Sequence, residues 1–360
     1  MRITKYKLAD LEQVYAASSI TVGEQVHLCA AAEGHGPCLL FTPPKWRSRV
    51  LAVEPGGTVC LVPIPGRQGQ LLAAMQCYPV FQGEAAGVFL LEAHKHEPAA
   101  EALRLFDLPF VHRIEIIHIA GTPMIVAATL CSGKRHRDDW SQPGAIHLGH
   151  IPEQFTSRWQ SSTLLSISKN HGLHLTPCET GVAVLVAGAE GLFELRAPLQ
   201  PNGAWKTQHI LKHEVSDVYA CDLDGDGYSE LVTIEPFHGN ALRIYAKRNL
   251  QWQCVYEAEI DLGHALWAGR LGEIPTVIVG NRAGLKEIVL YSLRPAAKYG
   301  AQRIVLDAGV GSSQITVIRT PQADLLLSAN HAAGEVALYE ISHANDGVTR
   351  IANSVVELST

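Results

Sequence analysis

Short apolar runs recur along this chain at a fairly regular interval, each bounded by Gly, Pro, Asn or Asp. From Ser216 the pattern reads SDVYACDLDGDGYSELVTIEPFHGNALRIYAK, from Gly263 GHALWAGRLGEIPTVIVGNRAGLKEIVLYSL, and from Ser312 SSQITVIRTPQADLLLSANHAAGEVALYEI. The same order appears from Val111 and Asn170, and more weakly from Pro37 and Gly69. Each unit holds an apolar strand, a polar turn, a second apolar strand, a Gly- or Asn-bearing loop and a third strand. Second strands are expected to begin near Pro37, Gln70, Met124, Val182, Glu230, Thr276 and Leu325. Those are seven units, the later ones spaced by roughly 45–60 residues, as four-stranded propeller blades are. The pattern predicts an all-β chain forming one seven-bladed β-propeller over residues 1–360. Glu97–Phe106 (EPAAEALRLF) carries the best helical spacing and is expected to be a short helix between blades two and three. The last residues, TRIANSVVELST, are expected to form the outer strand of the last blade or to pair with the N-terminus.

Composition agrees with a repeat array. With 47% hydrophobic residues the chain can bury a large core, and 31 Gly and 19 Pro punctuate short strands. The net charge of -6, without any Lys/Arg cluster, argues against a nucleic-acid partner. No apolar run is long enough to span a membrane. The N-terminal MRITKYKLADLEQVYAA lacks the apolar core of a signal peptide, so a cytoplasmic location is expected. The 8 Cys include no CxxC pair and read as free thiols of a reducing compartment. A homo-oligomer is compatible with all of this.

One segment has metal chemistry. Asp222, Asp224 and Asp226 stand at alternate positions, two glycines follow the second and third aspartates, and Glu230 stands at the ninth place. Alternating carboxylates turn hard oxygen ligands toward one centre, and the glycines allow the tight backbone. The segment runs straight into a strand. It is expected to hold a structural calcium ion between two strands, through Asp222, Asp224, Asp226 and Glu230.

Propeller topology sorts the remaining polar residues. Loops entering first strands and loops joining second to third strands share one face; the calcium loop, joining a first strand to a second, lies on the other. First strands begin with His112, Asn170-His171, Asp217 and His264. Loops after second strands carry Lys45-Trp46-Arg47, Gln76-Cys77-Tyr78, Lys134, Glu190, Glu235-Pro-Phe-His238, Asn281-Arg282 and Asn330-His331. Ordinary turns are filled by Gly, Asn, Asp and Ser. Here His, Arg, Lys, Glu, Tyr and Trp stand instead, which predicts a polar pocket at a central mouth. A long polar excursion, Ser132 to Pro143, with Lys134 and Trp140, would form part of its rim. Such a mixture suits a polyhydroxylated ligand: directional hydrogen bonds for hydroxyls, flat rings for a sugar face, and imidazoles for proton transfer.

The calcium loop and its flanking strands resemble the FG-GAP/VCBS repeats. A second resemblance covers Phe110 to Ile341. The runs HRIEIIHIAG, KRHRDDWSQPG, KNHGL, EPFHGN, GHALWAG, VGNR and SANHAAGEVALYE are similar to the propeller domain of the aldos-2-ulose dehydratase/isomerase family. That resemblance implies a seven-bladed propeller that binds divalent metal and eliminates water from keto-sugars. The family's cupin-like domains have no counterpart in these 360 residues. It implies His112, His171, His238 and His264 as mouth residues and Arg282 and Asn330 as substrate hydrogen-bonders.

The resulting expectation is a carbon–oxygen lyase acting on a keto-sugar or keto-glycoside. His112, His171, His238, His264 and Lys134 would be catalytic, with His171 as base and His264 or His238 as acid. Lys45, Tyr78, Asn170, Glu235, Trp267, Arg282, Asn330 and His331 would bind the substrate. A second divalent ion in the mouth could stabilise the developing oxyanion. The alternative is a non-catalytic carbohydrate- or protein-binding propeller.

Overall fold

Strand alternation leaves one sheet face to pack on the next sheet, and a ring of such sheets has no exposed interior edge. The computed structural model describes residues 1–78, 82–93, 101–155, 159–179, 181–294 and 300–342. Within them lie seven four-stranded antiparallel sheets. The chain is a seven-bladed β-propeller, as expected.

Blade one is β2 (Val14–Val22), β3 (Gln25–Ala32), β4 (Cys38–Thr42) and β5 (Arg47–Ala52). Blades two to six follow in order, each four consecutive strands. Their first strands, which wall the central channel, are β6 (Cys60–Pro63), β10 (Val111–Ile119), β14 (Gly172–Cys178), β18 (Asp217–Cys221) and β22 (Gly263–Leu271). Blade seven joins β26 (Ser312–Arg319), β27 (Asp324–Asn330) and β28 (Glu335–Ser342) to β1 (Arg2–Asp10). β1 runs antiparallel to β28, with Thr4 opposite Glu340, and Lys5 Nζ reaches Asp307 at 2.7 Å and Glu335 at 2.5 Å. The ring is therefore closed by the N-terminal strand. That strand holds the outer place expected for TRIANSVVELST, which lies outside the described residues.

Two other expectations change. The run at Pro37 is the third strand of blade one; the second is β3, QVHLCAAA. Its second half is alanine-rich, CAAA, and lacks the run of bulky apolar residues that marks CLLFT after it. Of the expected helix, Leu103–Asp107 is β9, paired with β8 (Gly87–Glu92) so that Val88 faces Phe106. Cross-strand pairing overrides a local helix preference there; residues 97–100 lie outside the described residues.

The core sits between blades. Second strands such as β19 (Glu230–Glu235) and β23 (Ile274–Asn281) are buried almost throughout. Val232 and Ile234 of blade five pack with Val277 and Val279 of blade six in one cluster. Each such side chain contributes about 1.5–3 kcal/mol when fully buried. This packing holds the first strands rigidly around the axis. All eight cysteines are free, and four of them are buried.

Candidate functional site at the propeller mouth

Four first strands carry the same irregularity at their second residue. The register shifts between Val14 and Ala16, Val111 and Arg113, Gly263 and Ala265, and Ser312 and Gln314. The residues left out of the ladder are Tyr15, His112, His264 and Ser313. A bulge frees one residue from pairing and re-aims its side chain. Three of the four are aromatic or imidazole, and they meet at the axis: Tyr15 Oη lies 2.9 Å from His112 Nε2 and 3.2 Å from His264 Nε2. His171 enters just before β14. There Gly172 is required, because a Cβ would fall 2.8 Å from Ala187 Cβ and 2.9 Å from Asp217 Cα.

The result is a layer of imidazoles. His171 has ring centroids 4.8 Å from His112, 4.8 Å from His238 and 4.9 Å from His264. His238 reaches the layer from the loop after β19, with φ +46, a left-handed conformation unusual for a side-chain-bearing residue. Its backbone N–H is held by Ser216 Oγ at 3.0 Å, and Phe237 stacks on its ring at 4.1 Å. Above the layer lies an enclosed cavity of about 50 Å³, lined among others by Tyr15, His112, His171, Phe237, His238 and Arg282.

Proton positions follow from the partners. His264 Nδ1 faces the Ser313 carbonyl at 2.8 Å, so it carries the proton and Nε2 is a bare lone pair. Tyr15 then donates to His264 Nε2 and accepts from His112 Nε2–H, which leaves His112 Nδ1 bare. Among the described residues that atom is buried without a hydrogen-bond partner, as are both ring nitrogens of His171, Nε2 of His238, and both amide atoms of Asn170. Buried polar atoms are seldom left so. Nitrogens of His171, His238 and His264 lie within 4.8 Å of one another. These three residues fit a divalent ion that takes imidazole ligands, with Ser313 O behind His264 and Asp217 Oδ2 3.9 Å from His171 Nδ1 as outer partners.

Burial keeps the layer uncharged. It holds His112, His171 and His264 well below the ordinary imidazole range, helped by the Arg113 guanidinium and by neighbouring imidazoles. His238 is lowered to about 4 by burial, with Arg282 and Arg113 adding to it. Burial also raises the Tyr15 phenol. Neutral imidazoles offer lone pairs for a metal or for a proton.

The other expected residues divide. Arg282 lines the cavity, donates to His331 Nδ1 at 2.9 Å, and His331 Nε2–H donates to Glu33 at 2.6 Å. His331 therefore positions Arg282 from behind. Tyr78 is on the mouth face but stacks on His35 at 4.6 Å, outside the cavity lining. Lys134 sits on the rim, Nζ 3.2 Å from the Trp140 ring centroid, and Trp140 meets Phe237 edge-on at 5.4 Å. The Ser132–Pro143 excursion thus packs against the mouth wall. Glu190 is exposed and accepts the Ser168 amide.

Four expected substrate binders belong elsewhere. Lys45 is exposed in the turn between the third and fourth strands of blade one, on the calcium-loop face; the misplaced second strand put it on the wrong side. Glu235 is buried and bound by Arg243, Tyr245, Thr233 and His213, an internal network of blade five. Asn330 is spent within blade seven, donating to Glu335 and Tyr339 and accepting from Ser328. Trp267 lines the channel on the far side of the imidazole layer, as does Asp217.

Sequence reasoning missed Tyr15, Glu33 and Arg113. Tyr15 had a signal: Val14-Tyr15-Ala16 matches Val111-His112-Arg113 and Gly263-His264-Ala265 once blade one is counted from β2.

On the other face, Asp222 accepts Gly225 N–H at 2.6 Å and Gly227 N–H at 3.0 Å, both glycines at positive φ. Oxygens of Asp222, Asp224 and Asp226 lie within 4.8 Å of one another. Glu230 is buried and accepts the Leu223 amide at 2.8 Å.

No protein-family model matches the chain, and no curated protein sequence matches it. Solved structures do. The β-propeller domain of Cps50 (Swd1) from Myceliophteria thermophila aligns with a TM-score of 0.59 at 13% identity, covering 95% of this chain and 100% of that one. Saccharomyces cerevisiae Sqt1 aligns with a TM-score of 0.56 at 11% identity, covering 94% of this chain and 98% of that one. At such identities the likeness is one of fold.

Proposed function

We propose that the protein is a carbon–oxygen lyase that eliminates water or an alcohol from a keto-sugar or keto-glycoside at the mouth. The observation that carries this reading is the layer of uncharged, buried imidazoles with unpartnered nitrogens beside the Tyr15 hydroxyl. His171, His238 and His264 would hold a divalent ion, which when bound supplies Lewis-acid polarisation of a substrate carbonyl. His171 thus moves from expected base to ligand.

The remaining residues can move the protons. His112 Nδ1 removes the proton on the carbon next to the carbonyl. Were His264 Nε2 to serve as a ligand to such an ion, it would no longer accept from Tyr15, and Tyr15 would be free to donate its O–H to the departing oxygen. His112 Nε2–H, 2.9 Å away, refills the phenol. One C–H and one C–O bond break, one C=C bond forms, and His112 and Tyr15 each end with as many protons as before, the one proton transferred leaving on the departing oxygen. No imidazolium or phenolate has to persist, which suits groups whose burial disfavours charge. Arg282, held by His331 and Glu33, points a cation at the same cavity for the oxygen on which negative charge develops.

The test is incubation of zinc-, manganese- and magnesium-loaded protein with 1,5-anhydrofructose and 3-keto-glucosides, followed by ultraviolet absorbance of the conjugated enone. Enone with any of them, lost in His112→Ala, supports the reading. No enone with any metal and any substrate would sink it and leave a binding propeller. We also propose that Asp222, Asp224 and Asp226 take calcium as a structural staple, remote from that chemistry.

A further inference from the structure

A second cavity of the central channel lies on the calcium-loop side of the imidazole layer. It measures about 460 Å³ and is walled by the first strands. That is within the size range of small-molecule sites, roughly 300–1,000 Å³. The mouth cavity is about 50 Å³.

Its wall combines three kinds of group. Glu115 lines it, half-buried, and its carboxylate accepts no hydrogen bond among the described residues. Asp217 spends one oxygen on the Val218 amide at 2.9 Å, and its other oxygen stands 3.9 Å from His171 Nδ1. Arg113 donates Nε–H to the His171 carbonyl at 3.2 Å, while its Nη1 is buried without a hydrogen-bond partner among the described residues. Gln314 accepts the Ala17 amide at 3.0 Å through Oε1, and its Nε2 has no partner among the described residues. Two carboxylates and an amide with spare capacity therefore line one space, beside the Arg113 charge. The third kind is aromatic: His174 and Tyr219 overlap at 4.0 Å, and Tyr219 stands 6.4 Å from Trp267.

We propose that this cavity is a second ligand site and that its ligand is a polyhydroxylated ring of monosaccharide size. Hydroxyls both donate and accept, so they can satisfy the Glu115 and Asp217 carboxylates and the Gln314 amide at once. A sugar ring also has an apolar face of C–H groups that rests on flat rings such as Trp267 and Tyr219. A simple cation would meet the Arg113 guanidinium, and a simple anion would meet two carboxylates; a neutral polyol meets neither penalty. The inference does not depend on the mouth chemistry, because the imidazole layer separates the two cavities and Trp267 and Glu115 line only this one.

The experiment is ligand-observed saturation-transfer NMR on the full chain with D-glucose, myo-inositol and 1,5-anhydroglucitol, with affinities from titration. Transfer to ring protons of at least one polyol is expected. Glu115→Gln and Trp267→Leu should each weaken it about tenfold, the effect of losing one charge-assisted hydrogen bond or one stacking face. His238→Ala, at the mouth, should leave it unchanged. Thermal melts check that each variant folds, and Glu115→Gln, nearly isosteric, decides if Trp267→Leu does not. Absence of transfer for all three polyols would overturn the proposal. So would binding that survives Glu115→Gln but is lost in His238→Ala, which would move the ligand to the mouth.

Discussion

At the scale of single residues, Tyr15 and Glu115 differ in what burial does to them. Tyr15 is buried but satisfied at its hydroxyl by two imidazoles. Tyr15→Phe keeps the ring and removes the shuttle, so kcat on a keto-sugar should fall by about 10²-fold or more with KM little changed. A matching fall in KM-controlled binding alone would argue against its role in proton transfer. His171→Ala should weaken zinc binding by two orders of magnitude or more, since loss of outer partners alone costs about 10–100-fold; isothermal titration reads this without any substrate. Burial raises the Glu115 carboxyl from 4.5 to about 7, with Arg113 opposing it. A carboxyl whose pKa is raised on folding binds more protons folded than unfolded between those values. Stability is therefore lost as pH climbs from about 4.5 to 7. Glu115→Gln should leave the melting temperature unchanged at pH 4 and raise it at pH 8, where the ionised form costs roughly 1–3 kcal/mol. An equal shift at both pH values would mean that packing, not charge, is responsible.

At the scale of elements, the repeated bulge and the acidic loop are the two local devices. Moving the bulge by one residue would turn Tyr15, His112 or His264 out of the axis, because side chains alternate along a strand. In the loop, Asp222 is the backbone anchor, with two amide bonds, whereas Asp224 accepts the Asp226 amide at 3.1 Å. Asp222→Ala should destabilise the fold by about 1–3 kcal/mol even in chelator. Asp224→Ala should cost less in chelator; millimolar calcium is expected to raise the melting temperature of the native protein, and Asp224→Ala should abolish that rise. Differential scanning fluorimetry with and without calcium separates the two. If calcium leaves the native protein's melt unmoved, the loop is a self-capped turn. The loop was legible in sequence because its chemistry is contiguous. The bulges were not, since a bulge is defined by the partner strand and no local residue pattern marks it.

At the scale of the whole molecule, ring closure rests on β1, the first strand of the chain, pairing with the last described one. Without it, β28 is an unpaired edge and Lys5 no longer bridges Asp307 and Glu335. Deleting residues 1–10 should abolish the single cooperative melt and produce concentration-dependent association on size-exclusion chromatography, as exposed edges do. A monomeric variant with a sharp transition would show that the other strands suffice. The same closure explains why sequence reading faltered in blade one. A blade assembled from both ends of the chain offsets the count by one strand, and Lys45 was carried to the wrong face with it.

What the sequence by itself determined is whatever depends on neighbours in the chain: the period of strands, the seven units, the acidic loop, and three histidines at first-strand starts with a fourth in a loop of the same face. Strand alternation and turn chemistry are written locally, so they survive without coordinates. What only the tertiary structure decided is which polar groups have partners. Glu235 and Asn330 look like ligands in a list of loop residues, yet Arg243, Tyr245, Glu335 and Tyr339 consume them. Tyr15 lies 97 residues from His112 and 249 from His264 and still bonds to both. The division of the channel into two cavities has the same origin: it depends on side chains from different blades meeting at one axis, and a ring brings together residues that the chain keeps far apart.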